Sequence, residues 1–425
     1  MRRAAKTGGG WTFRAGMRRG GYGRRGSAKA VDRLKAATAE IKAVGKTDPV
    51  RAGEGVVVLA ERIWPAFEMI DTSSGALGGA VNRTLATLIP ILIAAPAEEA
   101  TRARWLERLV DAIQEDGVDY LSPIAERFGE IAVFSSLVNH WADELVDHVR
   151  TAWSAEGFAH AALAPVCLSC LLEAGRYDEL DALLALRRPR LWHDQRFAAE
   201  ALLRQDRPED ALAFAEQLMA ENARTGGDGR IARFCEEVLR RLGRDEEAYR
   251  RFALPRAAGA TYLATWRELA KRYPDRPGRD VLEDLIATHG RKGKWFAAAR
   301  AAGCSDLARD CAADPEAEPR TLIRAARDLV EGDPRFAADV ATAALGHLLA
   351  GRGYETGPGD AAEAVRHLLA AARRLGEERR ALAAVERLIE RAGPGGQALV
   401  PAVRTALTAE RDRSGCTAAR SLDTA

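Results

Sequence analysis

The sequence predicts an all-α fold, an α-solenoid built from stacked antiparallel helix hairpins with a flexible N-terminal extension. Three observations predict it. Apolar residues recur with the 3.6-residue period of a helix, and the period-2 alternation of strands is hard to find. Hydrophobic residues make up 47% and charged residues 29% of the 425 positions, the balance of a folded chain and not of a disordered one. One phrase also occurs three times without gaps, as CLLEAGRYDEL from 170, ALLRQDRPEDA from 201 and VLRRLGRDEEA from 238, at offsets of 31 and 37 residues. A helix pair of that length has one apolar face too many to bury alone, so it stacks on its neighbour.

Each phrase reads as a helix end, a tight turn and a helix start. Gly175, Asp206 and Gly243 occupy the column where a helix C-terminus wants a left-handed residue. Arg176, Arg207 and Arg244 follow, near the carbonyl end of the first helix, where a cation is favoured. The acidic pairs Asp178/Glu179, Glu209/Asp210 and Glu246/Glu247 suit the positive end of the second helix, and Pro208 suits its first turn. Apolar columns agree as well: Val166/Phe197/Phe234, Leu171/Leu202/Leu239 and Leu180/Ala211/Ala248.

On these residues the block resembles the tetratricopeptide-type helical hairpins. GRYDEL matches the turn between that family's two helices, and the Ala248-to-Phe252 spacing matches its second helix. The likeness spans 166–252; the family's first-helix tyrosine is replaced by Leu171, Leu202 and Leu239, and the offsets are unequal. It implies a helical solenoid with a protein or peptide partner and carries over no catalytic residue. Arg176, Arg207 and Arg244 are expected outside the binding groove, close to the turns.

Residues 1–26 are rich in Gly and Arg and are expected to be a disordered extension. Arginine–glycine segments bind RNA through phosphate contacts and stacking, so nucleic acid is a candidate partner through 1–26 alone; the bland alternative is a floppy extension. Residues 1–30 carry nine Lys/Arg and no acid, leaving 54 basic against 61 acidic residues in the body, which offers no overall basic footprint. Gly21-Tyr22-Gly23-Arg24-Arg25-Gly26 fits a dinucleotide fingerprint on paper, but no strand precedes it. Of the basic residues 8 are lysine and 55 arginine, a skew that reflects coding bias better than chemistry.

An N-terminal helical region is expected over 27–158. Ser27 opens a helix ended by Gly45, and Asp48-Pro49 opens a second that continues past Trp64 with a kink at Pro65. A loop at 71–79 precedes a buried helix over 80–95, whose apolar run Thr84–Ala95 is too short to span a bilayer. Further helices start at Pro96 and at Ser122-Pro123. Hairpin repeats over 159–256 and more helices over 257–410 follow. The latter include three between 295 and 350 and two joined at Gly376, with Gly303 and Gly376 echoing the repeat turn. GRGYETGPGD (351–360) reads as an exposed loop and 411–425 as a flexible tail.

The motifs that carry chemistry are few. His140, Glu144 and His148 lie four apart on one helical face within NHWADELVDHV, a spacing that could hold a divalent metal. They also sit at the solvated border of the stripe Phe134, Val138, Trp141, Leu145, Val149, and that plainer reading is favoured over a metal site. Cys167 and Cys170 form a CxxC, but they align with Ala198/Cys235 and Ala201/Val238, columns that want small apolar residues. HGRKGK (289–294) lacks the spacing of a phosphate loop. With no secretory h-region and no disulfide pattern, a reducing cytoplasm is expected, with no cofactor and no membrane. The reading is a scaffold more than an enzyme, its alternatives an RNA-associated repeat protein or, behind that, a metal-dependent enzyme on the His140 face.

Overall fold

The computed structural model describes residues 10–154, 161–222 and 228–422, all of them helix, turn or coil, with no strand among them. The chain divides into two compact units, Met1–Leu242 and Gly243–Ala425. The boundary cuts the turn of the third phrase, so its two helices fall in different units. The division expected at 158/159 lies outside the described residues, and the one expected at 256/257 falls inside the second unit. A repeated phrase marks a repeated turn, and the turn does not say which core each helix joins.

The first unit begins with a strap. Residues 10–26 are not a free extension, as composition suggested: Trp11, Phe13, Met17 and Tyr22 are buried, and a 3₁₀ turn spans Thr12–Gly16. The strap lies along α1 (Ser27–Gly45) and α2 (Pro49–Phe67). Glu40 accepts the Thr12 and Phe13 N–H groups at 2.7 and 3.1 Å. Arg62 donates to the Met17 carbonyl at 3.3 Å, and the Tyr22 hydroxyl donates to the Gly16 carbonyl at 2.6 Å. Gly55 makes the seat, since a Cβ there would stand 2.4 Å from the Trp11 ring. Four large apolar side chains, worth about 1.5–3 kcal/mol each when buried, override the disorder signal of glycine and arginine. Residues 1–9 lie outside the described residues.

α2 is the central helix of this region, buried over most of its length. The Asp48 carboxylate caps it by accepting from the Arg51 N–H at 2.9 Å. It packs on α1, on α3 (Ala76–Ala94) and on α4 (Glu99–Glu115). Gly53 leaves room for Trp105 of α4, whose ring would meet a Cβ at 2.8 Å. α3 starts four residues earlier than the sequence suggests and runs for 19 residues through Pro90, long and apolar enough to cross a membrane by length and composition alone. Its buried residues, among them Leu77, Val81, Leu85, Leu88 and Leu92, belong to the core of this unit. The buried Arg102 guanidinium donates to the Leu92 and Ala95 carbonyls, both at 2.6 Å, at the negative end of α3.

The repeat block follows two short helices, α5 (Ser122–Ala125) and α6 (Phe128–Ala132), and the long α7 (Ser135–Ser154). The first hairpin is α8 (Ala164–Glu173) with α9 (Tyr177–Leu186), and the second is α10 (Trp192–Arg204) with α11 (Pro208–Glu221). α12 (Asp228–Arg241) packs on α11. α8 touches α6, α7, α9 and α10, so each helix meets its hairpin partner and the next hairpin along. Cys167, Cys170, Leu171, Leu180, Ala211, Cys235, Val238 and Leu239 are all buried, in the columns that the alignment assigns to the core.

The repeated turn has one geometry. Gly175, Asp206, Gly243, Gly303 and Gly376 have φ of 70°, 57°, 72°, 74° and 70°. The Gly175 N–H reaches the Leu172 carbonyl at 3.2 Å and the Arg176 N–H the Leu171 carbonyl at 3.0 Å. The same two bonds recur at Asp206/Arg207, Gly303/Cys304 and Gly376/Glu377, closing each helix with a Schellman pair. Asp206 alone holds this conformation with a Cβ. Asp206→Gly is therefore expected to raise stability by about 0.5–1 kcal/mol, and urea unfolding checks it.

The second unit opens with α13 (Asp245–Ala248), a single π turn over Tyr249–Ala253, α14 (Tyr262–Arg272) and α15 (Gly278–His289). Four helices, not three, then fill the span to 350: α16 (Phe296–Ala301), α17 (Ser305–Ala313), α18 (Pro319–Leu329) and α19 (Pro334–Leu349). Cys304 stands at the N-cap of α17 and Cys311 lies within it, and both are buried. The unit ends with α20 (Pro358–Arg374), α21 (Glu378–Glu390) and α22 (Val400–Leu422). α22 continues as helix to Leu422, where a loose tail beyond Arg411 was expected. Neighbours along the chain pack pairwise, α18 on α19 and α19 on α20, and next neighbours meet too, α18 on α20 and α20 on α22. The architecture is all-α and solenoid-like in this local sense.

Candidate binding surface

The turn arginines do not line a groove as free cations. Each stands at the N-cap of the second helix and clasps the acid three residues on. Arg176 binds both oxygens of Glu179 at 2.7 and 2.8 Å and reaches Asp143 at 2.6 Å. Arg207 meets Asp210 at 2.7 Å, and Arg244 meets Glu247 at 2.8 Å. The Arg176 hydrogen bonds hold the Glu179 carboxyl below the usual carboxylate range. Sequence reasoning placed these residues correctly at the turns but could not see that the next helix's own acid engages them.

Between α9, α10 and α11 lies a cleft of about 340 Å³. Leu184, Ala198, Leu202 and Phe214 form its apolar part, and Asp181, Arg188 and Arg190 its polar rim. The Arg190 guanidinium lies 5.3 Å from the Phe214 ring centroid and pairs with Glu221 at 3.1 Å. The Asn222 side chain donates to the Arg190 carbonyl at 3.0 Å, fixing the loop. Burial, and then the nearby Asp178 charge, push the Asp181 carboxyl upward, while Arg207 opposes them. One carboxylate and one exposed guanidinium beside an apolar floor suit a peptide main chain and an apolar side chain. Of the cleft's residues only Ala198 and Leu202 stood out in the sequence, as repeat columns, because the rest converge from three helices.

Next in sequence to the lining residues Arg188 and Gln195, Arg187 and Asp194 form a buried pair at 2.9 Å, with side chains 9% and 4% exposed. His193 Nε2 lies 3.3 Å from the same carboxylate, and Arg187 stacks 5.3 Å from the Trp153 ring centroid. This group anchors the 187–191 loop to the start of α10.

His140, Glu144 and His148 are all exposed on α7, and His140 packs against Trp141 with ring centroids 5.5 Å apart. Their neighbours are already committed, Asp143 to Arg176 and Asp147 to Arg150. Among the described residues no group of three or more His, Cys, Asp or Glu is placed to hold a metal ion. His289 and His347 meet the Leu254 and Ala312 carbonyls at 2.9 and 2.7 Å, and His160 lies outside the described residues. In the HGRKGK loop Lys292 pairs with Asp310 at 3.0 Å and Arg291 with Glu316 at 3.3 Å. The strap keeps Arg14, Arg18, Arg24 and Arg25 exposed but buries its aromatic rings, so the platforms that would stack on RNA bases lie in the core.

Cys167 and Cys170 are free and buried, and burial pushes the Cys167 thiol up to about 12 and the Cys170 thiol higher still. Iodoacetamide at pH 8 is expected to leave both unmodified in the native chain and to alkylate both in denaturant, as mapped by mass spectrometry.

No protein-family model and no curated protein matches the chain. Among solved structures it is similar to a circular tandem repeat protein with novel repeat topology and enhanced subunit contact surfaces. The two are 16% identical over 90% of this chain and 91% of that one, with a TM-score of 0.18. At that score the likeness carries no weight, and the fold assignment rests on the helix packing above.

Proposed function

We propose that the chain is a non-enzymatic helical-repeat scaffold that holds a peptide segment of a partner protein in the cleft between α9, α10 and α11. The observation that supports this reading is the cleft itself. Three consecutive repeat helices supply an apolar floor, and an acceptor and a donor stand at the rim. The turn arginines hold the hairpins in register and leave recognition to Asp181, Arg188 and Phe214.

A photo-crosslinking amino acid at Leu202, introduced in the native organism, tests the proposal. The expected adduct is a single protein segment that then binds the purified chain in calorimetry. Ala185→Trp, which fills the cleft from an exposed position, is expected to weaken that binding about tenfold or more. Equal affinity for the filled variant would refute the assignment.

A further inference from the structure

A second groove, of about 360 Å³, runs between α1 and α3. α1 and α3 pack side by side on α2, so the groove between them is an open helix–helix seam at the start of the first unit. Val31, Leu34, Ala39 and Ala80 line it with apolar side chains. Thr38 and Thr87 turn their hydroxyls back onto the Leu34 and Arg83 carbonyls at 2.8 and 2.9 Å, which leaves methyl groups for the floor.

Its rim carries one sign of charge. Lys35, Lys42 and Arg83 line the groove, and among the described residues no acid does. α3 has no acidic residue at all, and of the two acids of α1 one pairs with the rim lysine Lys35 and the other faces away from the groove. Asp32 reaches Lys35 at 3.5 Å, and Glu40 is held by the strap on the far side of α1. Lys42 and Arg83 form no ion pair among the described residues. Lys35 and Lys42 stand seven residues apart, two helical turns or about 10.5 Å.

We infer that this groove docks an amphipathic helix of a partner protein whose apolar stripe is flanked by Asp or Glu two turns apart. The floor takes the stripe, and the rim selects the acids by charge complementarity. A second copy of this chain seated groove to groove would set Lys35, Lys42 and Arg83 against themselves, which disfavours self-pairing. The inference adds a site distinct from the α9–α11 cleft, and it rests on the scaffold reading only in naming a protein as the occupant.

A phage-displayed library of amphipathic helices about 18 residues long, five turns, is panned against the full chain. It is then counter-panned against the Lys42→Glu/Arg83→Glu variant. Surviving clones are expected to carry an apolar stripe with Asp or Glu at seven-residue spacing. Their synthetic peptides should lose about tenfold or more affinity for each single charge reversal and for Ala39→Trp, which fills the groove. They should bind Ala185→Trp as tightly as the unaltered chain, which separates this groove from the other cleft. Circular dichroism melts confirm that each variant keeps its fold. Clones that are basic or uncharged, or no surviving clones, would overturn the inference. So would sedimentation with phosphatidylserine vesicles that the charge reversals abolish while no peptide binds.

Discussion

Asp194→Ala is expected to lower the unfolding free energy of the first unit by about 3–5 kcal/mol, the cost of leaving a buried charge without its counterion. Arg187 and Asp194 meet at 2.9 Å where both side chains are almost fully removed from water. Removing the carboxylate strips the guanidinium of that partner while it stays against Trp153. A joint replacement, Arg187→Met with Asp194→Leu, should recover most of the loss, because neither desolvated charge remains. Urea unfolding followed by circular dichroism reads both variants.

The same pair sets a pH dependence. Burial, the largest influence on Asp194, pushes its carboxyl up. The hydrogen bonds and charges of His193 and Arg187 together outweigh burial and hold it below its ordinary value. In the unfolded chain that carboxyl takes up its proton near pH 3.9. The folded state holds the charge to lower pH, so the pair's contribution is complete above about pH 4. It disappears as the pH falls through the folded value. Asp194→Asn should remove this part of the acid sensitivity. The cleft depends on the pair as well, since Arg187 opens the 187–191 loop that carries Arg188 and Arg190.

Gly129→Ala carries the second large effect. A Cβ at Gly129 would stand 2.4 Å from the Ser169 carbonyl oxygen and 2.7 Å from the Glu173 Cβ. The Ser169 contact is backbone, so α6 and α8 must separate, at a cost of about 1–3 kcal/mol for overpacking. The Gly129 N–H, in the first turn of α6 and without an intrahelical partner, also loses its 2.9 Å bond to the Ser169 hydroxyl. An orphaned buried donor adds about 1–3 kcal/mol. Gly359→Ala, in the first turn of α20 with open space around it, is the control and should leave stability unchanged or slightly raised.

Much of the repeat block was legible in the sequence for a physical reason. A left-handed helix end admits few residues, so Gly175, Asp206 and Gly243 announce themselves, and so do the small core columns at Cys167 and Cys170. The strap was illegible because its glycines and arginines describe solubility, while the seat that buries Trp11 is a glycine 44 residues away in α2. The Gly129–Ser169 contact is hidden for the same reason, since neither residue looks unusual alone. The cleft draws on α9, α10 and α11 at once, and single-helix periodicity cannot show which side chains converge. The His140 face, by contrast, stands where its spacing placed it, at the wet edge of α7.

Hydrogen exchange of the full chain, with and without Gly129→Ala, tests most directly whether the hairpins hide their apolar faces against one another. Nearest-neighbour stacking predicts that amides of α6 and α8 lose protection together, that α7, α9 and α10 follow, and that α18 to α20 keep theirs. Opening confined to α6, or equal loss in α18 to α20, would contradict it.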